Sequence, residues 1–195
     1  MRVIGAVPAI VGVDDFKQAT HAQLDEAEDD TTLMAYLAAA QAVVERATNR
    51  PLGAREVEIS AQLPGPVSRW WFPCAPVGAI SKISYDVGDG AVDLGAESFR
   101  LRFAHDEPQI DFELGVFPYL AGQIEITVTA TVGAADGDPS ILTLTQAIKL
   151  VAREWYDAGI SVGSEGSSGD LRLSFGARAL IRSGIYKRPR VFARA

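Results

Sequence analysis

Apolar residues recur at helical spacing over residues 14–50 of the chain. In its strongest stretch, from about 30 to 49, one stripe is formed by Leu33, Leu37, Ala40 and Val44. This spacing is typical of a helix that buries one face against a core. The helix is predicted to end before Pro51, because the residue preceding a proline disfavours helical geometry. A shorter helix through Leu24 is predicted to begin near Asp14, whose carboxylate suits a helix start.

The pattern changes to alternation of apolar and polar residues over 52–135, interrupted by glycine and proline. The alternating stretches are 56–60, 80–85, 99–103 and 124–129. Alternation predicts strands with one buried face and one face in water. The dipeptide Asp89-Gly90 predicts a tight turn between two of them. We therefore expect roughly five to seven short antiparallel strands.

Helical spacing returns over 139–159, where the repeating apolar residues are Leu144, Ile148, Val151, Trp155 and Ala158. Pro139 follows Asp138 and suits the first turn of a helix. A Gly/Ser loop at 161–169 comes next. A short helix over 177–182 is then predicted, and Gly184 is suited to end it.

These periods predict an α+β protein, in which a small helical bundle carries an inserted antiparallel β region and an extended C-terminal tail. The predicted divisions are an N-terminal helical segment (1–50), the β region (51–136), C-terminal helices with the Gly/Ser loop (137–184) and the tail (185–195). We expect the two helical segments to form one core.

Charge is distributed unevenly along the chain. The last 25 residues carry seven Lys and Arg and no acid, whereas the first 170 carry 11 Lys and Arg against 25 Asp and Glu, a net of −14. An acidic body does not suit DNA binding over the whole surface. The basic tail also contains Tyr186 and Phe192, and apolar groups among charges indicate a segment that docks on a protein. A frayed terminus and a DNA-contacting tail are the other interpretations.

No residue set has the pattern of a catalytic, cofactor or metal site. Cys74 is the only cysteine, which excludes an internal disulfide and a cysteine cluster for zinc. His21 and His105 lie in different zones without other ligands nearby. No apolar run reaches ~18 residues, so no membrane-spanning helix is expected. We expect a protein without enzyme activity, cofactor or metal, made in the cytoplasm.

Two further patterns have an ordinary structural interpretation. Asp86 and Glu97 are spaced like the ends of a calcium-binding loop, but ligand positions between them are Gly88 and Gly90, which have no side-chain oxygen. A hairpin turn is expected there instead. The aromatic residues at 70–72 are expected to pack on a sheet face or at a subunit contact, since only Arg69 next to them is basic.

Four motifs, in order and at matching spacing over roughly 28–185, resemble those of a known family. They are LAAAQAVVERATNRPL (37–52), FPCAPVGAISKISYD (72–86), ITVTATVG (126–133) and PSILTLTQAIKLVAREWY (139–156). The chain resembles the head–tail connector (adaptor) proteins of tailed phages, which have relatives in gene transfer agents. It departs from that pattern at Thr131, where the family often has glycine, and in its long basic tail.

The resemblance implies a structural subunit of the virion, at the interface between head and tail. It implies a ring, usually of twelve copies, whose core is the helical bundle. The ring would bind the portal protein above and a stopper or tail-completion protein below, and DNA would pass through its channel without sequence-specific binding or any membrane contact. The family uses its C-terminal segment to grip the portal. The corresponding candidate docking residues here are Ile185, Tyr186, Lys187, Arg188, Arg190, Val191 and Phe192.

Two other classes of function compete with this interpretation. A small hydrolase would use the β region as a pocket, with Cys74 or His105 in its chemistry. A nucleic-acid-binding protein would use the basic tail, and its affinity for DNA would fall steeply with salt.

Overall fold

The computed structural model describes residues 1–20, 27–104, 107–118, 122–135, 137–158 and 173–187. The helices are α1 (Val13–Thr20), α2 (Ala27–Thr48), α3 (Leu142–Asp157) and α4 (Phe175–Ser183). The strands are β1 (Arg2–Ile4), β2 (Arg55–Leu63), β3 (Arg69–Trp71), β4 (Val77–Asp86), β5 (Val92–Asp93), β6 (Phe99–Ala104), β7 (Glu107–Phe112) and β8 (Ile124–Val132). The predicted α+β class is confirmed. The Gly/Ser loop at 161–169 lies outside the described residues.

The helices belong to one compact unit, formed by Ala9–Leu52 and Gly137–Ile185. The stripe predicted on α2 is buried, and it shares a core with the apolar face of α3. The buried residues of α3 are Leu144, Ala147, Ile148, Val151, Ala152 and Trp155. Phe16 of α1 and Ile181 of α4 belong to the same core. Segments on either side of the β region in sequence therefore build one core.

The end of α2 follows from local chemistry. Asn49 has a left-handed φ of 55°, a conformation that asparagine tolerates and that commonly ends helices. Pro51 then prevents the helix from resuming. The side chain of Glu45 reaches past this end, and its Oε1 accepts a hydrogen bond of 3.0 Å from the backbone N–H of Leu52.

The strands belong to a second unit, which is formed by Met1–Pro8 and Gly53–Asp136 and includes Tyr186 and Lys187. A five-stranded antiparallel sheet has the order β1-β2-β8-β4-β5. Its centre is β8, where Val128 lies opposite both Ile59 and Ile83. All three side chains are buried. Alternate residues of these strands therefore point into one core, as the period-two pattern predicted.

A second, three-stranded antiparallel sheet has the order β3-β7-β6. Its inner face contributes Trp70, Ile110 and Phe112 to the same core as the five-stranded sheet. The ring centroids of Trp70 and Phe72 lie 5.0 Å apart. The aromatic residues at 70–72 are buried, which confirms the expectation that they pack on a sheet.

Two regions of the chain differ from the predicted divisions. Residues 1–8 were placed in an N-terminal helical segment, but β1 pairs with β2 in the five-stranded sheet. A three-residue strand is too short to show a period. Tyr186 was placed in an extended tail, but it is buried in the β unit.

A charge placed in the helical core should unfold it. Leu37 is 5% exposed, whereas Met34, one turn earlier on α2, is 55% exposed. We expect Leu37→Asp to lower the free energy of unfolding by about 3 to 5 kcal/mol, because it removes apolar contacts and buries a carboxylate without a partner. Met34→Asp should cost less than about 1 kcal/mol. Denaturant unfolding followed by circular dichroism checks this, and equal costs for the two variants would contradict the packing described here.

Candidate functional site

The C-terminal segment begins at the end of α4. The hydroxyl of Ser174 accepts a hydrogen bond from the backbone N–H of Ala177 and caps the helix start. At the helix end, the guanidinium of Arg50 donates from Nε to the carbonyl of Gly184 at 2.7 Å. A side chain at position 184 would collide with Leu144, since a Cβ there would lie 2.6 Å from a Leu144 methyl. A larger residue at the exit of α4 would therefore require the side chain of Leu144 to shift.

Tyr186 has a different position from the one expected of a docking residue. Its side chain is 5% exposed, and its hydroxyl donates a 3.3 Å hydrogen bond to the backbone carbonyl of Phe72. In this structure the Tyr186 ring is therefore buried against its own chain, and its role as an anchor on the portal stays a prediction. The residue attaches the C-terminal segment to the chain's own β unit.

Of the other candidate docking residues, only Ile185 and Lys187 lie in the part of the chain that the structure describes. Ile185 is half-buried in the helical unit, and Lys187 is exposed. Arg188, Arg190, Val191 and Phe192 lie outside the described residues. Lys187 is thus the described candidate that is accessible to a partner.

Cys74 does not have the environment of a nucleophile. The side chain is 3% exposed and packs in the core of the β unit. Burial raises the pKa of its thiol to about 11, although the positive charge of Arg55 acts in the opposite direction. The thiolate is the reactive form, so the thiol is inert at neutral pH. His21 and His105 lie outside the described residues.

The calcium-like spacing around Asp86 forms a turn. One carboxylate oxygen of Asp86 accepts hydrogen bonds from the backbone N–H groups of Gly88 and Gly90, at 2.6 and 3.2 Å. Both glycines have positive φ, a conformation that residues with side chains rarely adopt. The turn connects β4 to β5, as predicted. Within the described parts of the chain, no group of three His, Cys, Asp or Glu could hold a metal ion.

The outer face of the three-stranded sheet carries a cluster that the sequence did not reveal. Strand register places Asp111 between Arg69 and Arg100. The carboxylate of Asp111 pairs with Nε of Arg69 and with Nε of Arg102, both at 3.0 Å. These side chains line one concavity with Glu113 at its border. We call Arg69, Arg100, Arg102 and Asp111 the basic face.

The outer face of the five-stranded sheet has the opposite sign. Its acidic residues, placed by register on the alternate positions that point away from the core, are Glu56, Glu58, Asp86, Asp93 and Glu125. Two cations share this face: Arg2 lies opposite Glu58, and Lys82 pairs with Asp93 at 2.9 Å. We call this surface the acidic face. Its charges come from separate strands, so linear sequence did not bring them together.

No protein-family model matches the chain, and no curated protein matches it. Solved structures do. A chain in the neck of an empty gene transfer agent (GTA) particle, solved with C6 symmetry, is 26% identical with a TM-score of 0.68. A chain in the neck of a native GTA particle, solved with C12 symmetry, is 25% identical with a TM-score of 0.65. A chain in the virion of a native GTA particle is 26% identical with a TM-score of 0.69.

The protein has the fold of gene transfer agent neck proteins. Each match covers 98% of this chain and 97% of the other, so the similarity includes both compact units. This finding confirms the resemblance to the head–tail connector family that the four sequence motifs indicated. None of the helices in the described part of this neck-protein fold is long and apolar enough to cross a membrane.

The buried thiol gives the neck-protein fold a specific alkaline response. The pKa of Cys74 is raised from 9.0 to about 11 in the folded state. The folded protein therefore keeps a proton that the unfolded chain loses, and stability falls as pH rises from 9 to 11. The loss should reach roughly 2 kcal/mol near pH 11. Unfolding measured across this range should show the decline in the wild type and a smaller decline in Cys74→Ala; identical slopes would contradict it.

Proposed function

We propose that the protein is a structural head–tail connector (adaptor) subunit of a virion, positioned in the neck between the portal and the stopper or tail-completion protein. The observation that carries this proposal is the similarity of the whole chain to subunits in the neck of GTA particles. In this role the protein forms a ring and continues the DNA channel. The C12 symmetry applied to one of those necks supports a ring of twelve copies.

The chemistry of the described residues is compatible with a structural role. Cys74, the nucleophile of the competing hydrolase interpretation, is buried, and the pKa of its thiol is raised to about 11. The chain as a whole carries a net charge of −7. A predominantly acidic ring repels DNA phosphates, so DNA would slide through the channel rather than bind to its wall.

The C-terminal segment is the proposed grip on the portal. Tyr186 holds the start of this segment on the β unit through its buried ring and its hydrogen bond to Phe72. In this proposal the residues after Tyr186 bind the portal, while Tyr186 fixes the start of the segment on the β unit. In this proposal Lys187, Arg188 and Arg190 meet carboxylates, and Val191 and Phe192 supply apolar contacts.

Mass and symmetry measurements test the ring. The purified protein, alone and mixed with portal-bearing capsids that lack a neck, should give a closed ring on the capsid vertex by electron microscopy. The number of bound copies should match the symmetry of the ring. Portal-bearing capsids that recruit no protein, together with a protein that stays monomeric alone, would contradict the proposed function.

Removal of residues 188–195 tests the grip separately from the fold. The truncated protein keeps Tyr186, so its melting temperature should change by less than about 2 °C, while attachment to capsids should be lost. A full-length variant with Arg188→Gln and Arg190→Gln should attach more weakly than a variant with both arginines changed to lysine, since lysine keeps the charge. Unchanged attachment of the truncated protein would place the grip elsewhere.

A further inference from the structure

We propose that neighbouring copies in the ring bind each other through their β units, with the basic face of one copy on the acidic face of the next. This inference rests on the proposed function, because it names the partner of two surfaces within the proposed ring. The two faces point away from a core that both sheets share. One copy can therefore offer one face to each of its two neighbours.

The basic face contains one guanidinium group, that of Arg100, that has no ion-pair partner among the described residues. Asp111 already accepts from Arg69 and Arg102. Arg100 is exposed, and in the described part of the chain its side chain forms no ion pair or hydrogen bond. Glu113 lines the same concavity, and register places Glu107 on the same face, but neither carboxylate forms an ion pair with Arg100 in the described part of the chain. The guanidinium of Arg100 presents a fork of N–H donors, whose geometry suits a carboxylate.

The acidic face carries an excess of negative charge. Asp86 and Glu125 lie directly opposite each other on β4 and β8, and like charges in this cross-strand position destabilise a sheet. Glu125 is exposed, and among the described residues neither carboxylate has a cation as partner. Asp86 stabilises its own turn, since its carboxylate accepts hydrogen bonds from two backbone N–H groups. Among the described residues no hydrogen bond of this kind is formed by the side chain of Glu125, and a cation from outside would relieve the repulsion.

A second copy of this chain fits these surfaces better than another partner. Contacts between two different faces of identical subunits are head-to-tail, and such contacts close into rings when the rotation allows. Copies with a net charge of −7 repel each other, so their association needs local complementarity. Each copy of the chain carries one basic face and one acidic face, so identical copies supply the two faces in equal number. A portal or DNA does not.

Two charge reversals on the full-length protein test the interface. Arg100→Glu makes the basic face less basic, and Glu125→Lys makes the acidic face less acidic. We expect each variant alone to weaken subunit association by about tenfold or more, measured by sedimentation velocity or as ring occupancy on portal-bearing capsids. Glu125→Lys should at the same time keep or raise the melting temperature, because it removes the repulsion with Asp86. If Glu125 only supported the fold, a Glu125→Lys variant with an unchanged or higher melting temperature would associate like the wild type.

Mixing the two variants gives the sharper result. In a ring that alternates Arg100→Glu and Glu125→Lys subunits, the contacts alternate between two reversed faces and two wild-type faces, so association should be restored. The double variant in one chain should also be restored. Arg182→Glu on α4, which is exposed and outside the β unit, is the matched control for a change of charge and should associate like the wild type.

The outcomes separate this interface from the proposed function. If the wild type forms rings and the two single variants form them equally well, the interface is wrong while the neck role stands. If Arg100→Glu loses capsid attachment but keeps its self-association, the basic face binds the portal, and if it loses only salt-dependent DNA binding, that face binds nucleic acid; both results overturn the proposal. A wild type that forms no ring on any template overturns the proposed function and this interface together.

Discussion

The helical unit depends on contacts between α2 and α3, which are separated by the entire β region in sequence. Leu37 and Val44 share a core with Ile148 and Val151, and burial of such side chains is worth about 1.5 to 3 kcal/mol each. The inserted chain must therefore leave the helical unit and return to it, and the left-handed Asn49 at the end of α2 begins that departure.

The elements that sequence predicted well are those whose period is set by one buried face. The stripe of α2 and the alternation of β8 can be read from spacing alone. The elements that it missed lack such a period. In β3 the residues Trp70 and Trp71 are both buried, so no polar residue alternates with them, and β7 contains Pro108 and has three consecutive buried residues. Their pairing becomes visible only when tertiary structure brings the two strands together.

The candidate site divides in the same way. Linear clustering of charge was sufficient to single out the C-terminal segment. It was not sufficient to show that Tyr186 belongs to the β unit, because a tyrosine can be buried in its own chain as readily as at an interface with a partner. Alternation along 99–103 predicted that Arg100 and Arg102 share a wet face, but it could not predict which charges of other strands join them. Arg69 and Arg100 come together through Asp111 only by strand register, and sequence did not reveal β3 or β7.

The separation of charge between two faces of one unit suits assembly on a template. Exposed ion pairs contribute little individually, and salt weakens them, so a ring held partly by such pairs would not form readily from dilute subunits of net charge −7. In the proposed assembly, a portal that bound the C-terminal segments would hold many subunits side by side and would raise their effective concentration. Weak complementary faces then become sufficient to align each copy with the next. An apolar interface of the same area would bind without the template and would favour premature rings or open chains in the host cytoplasm.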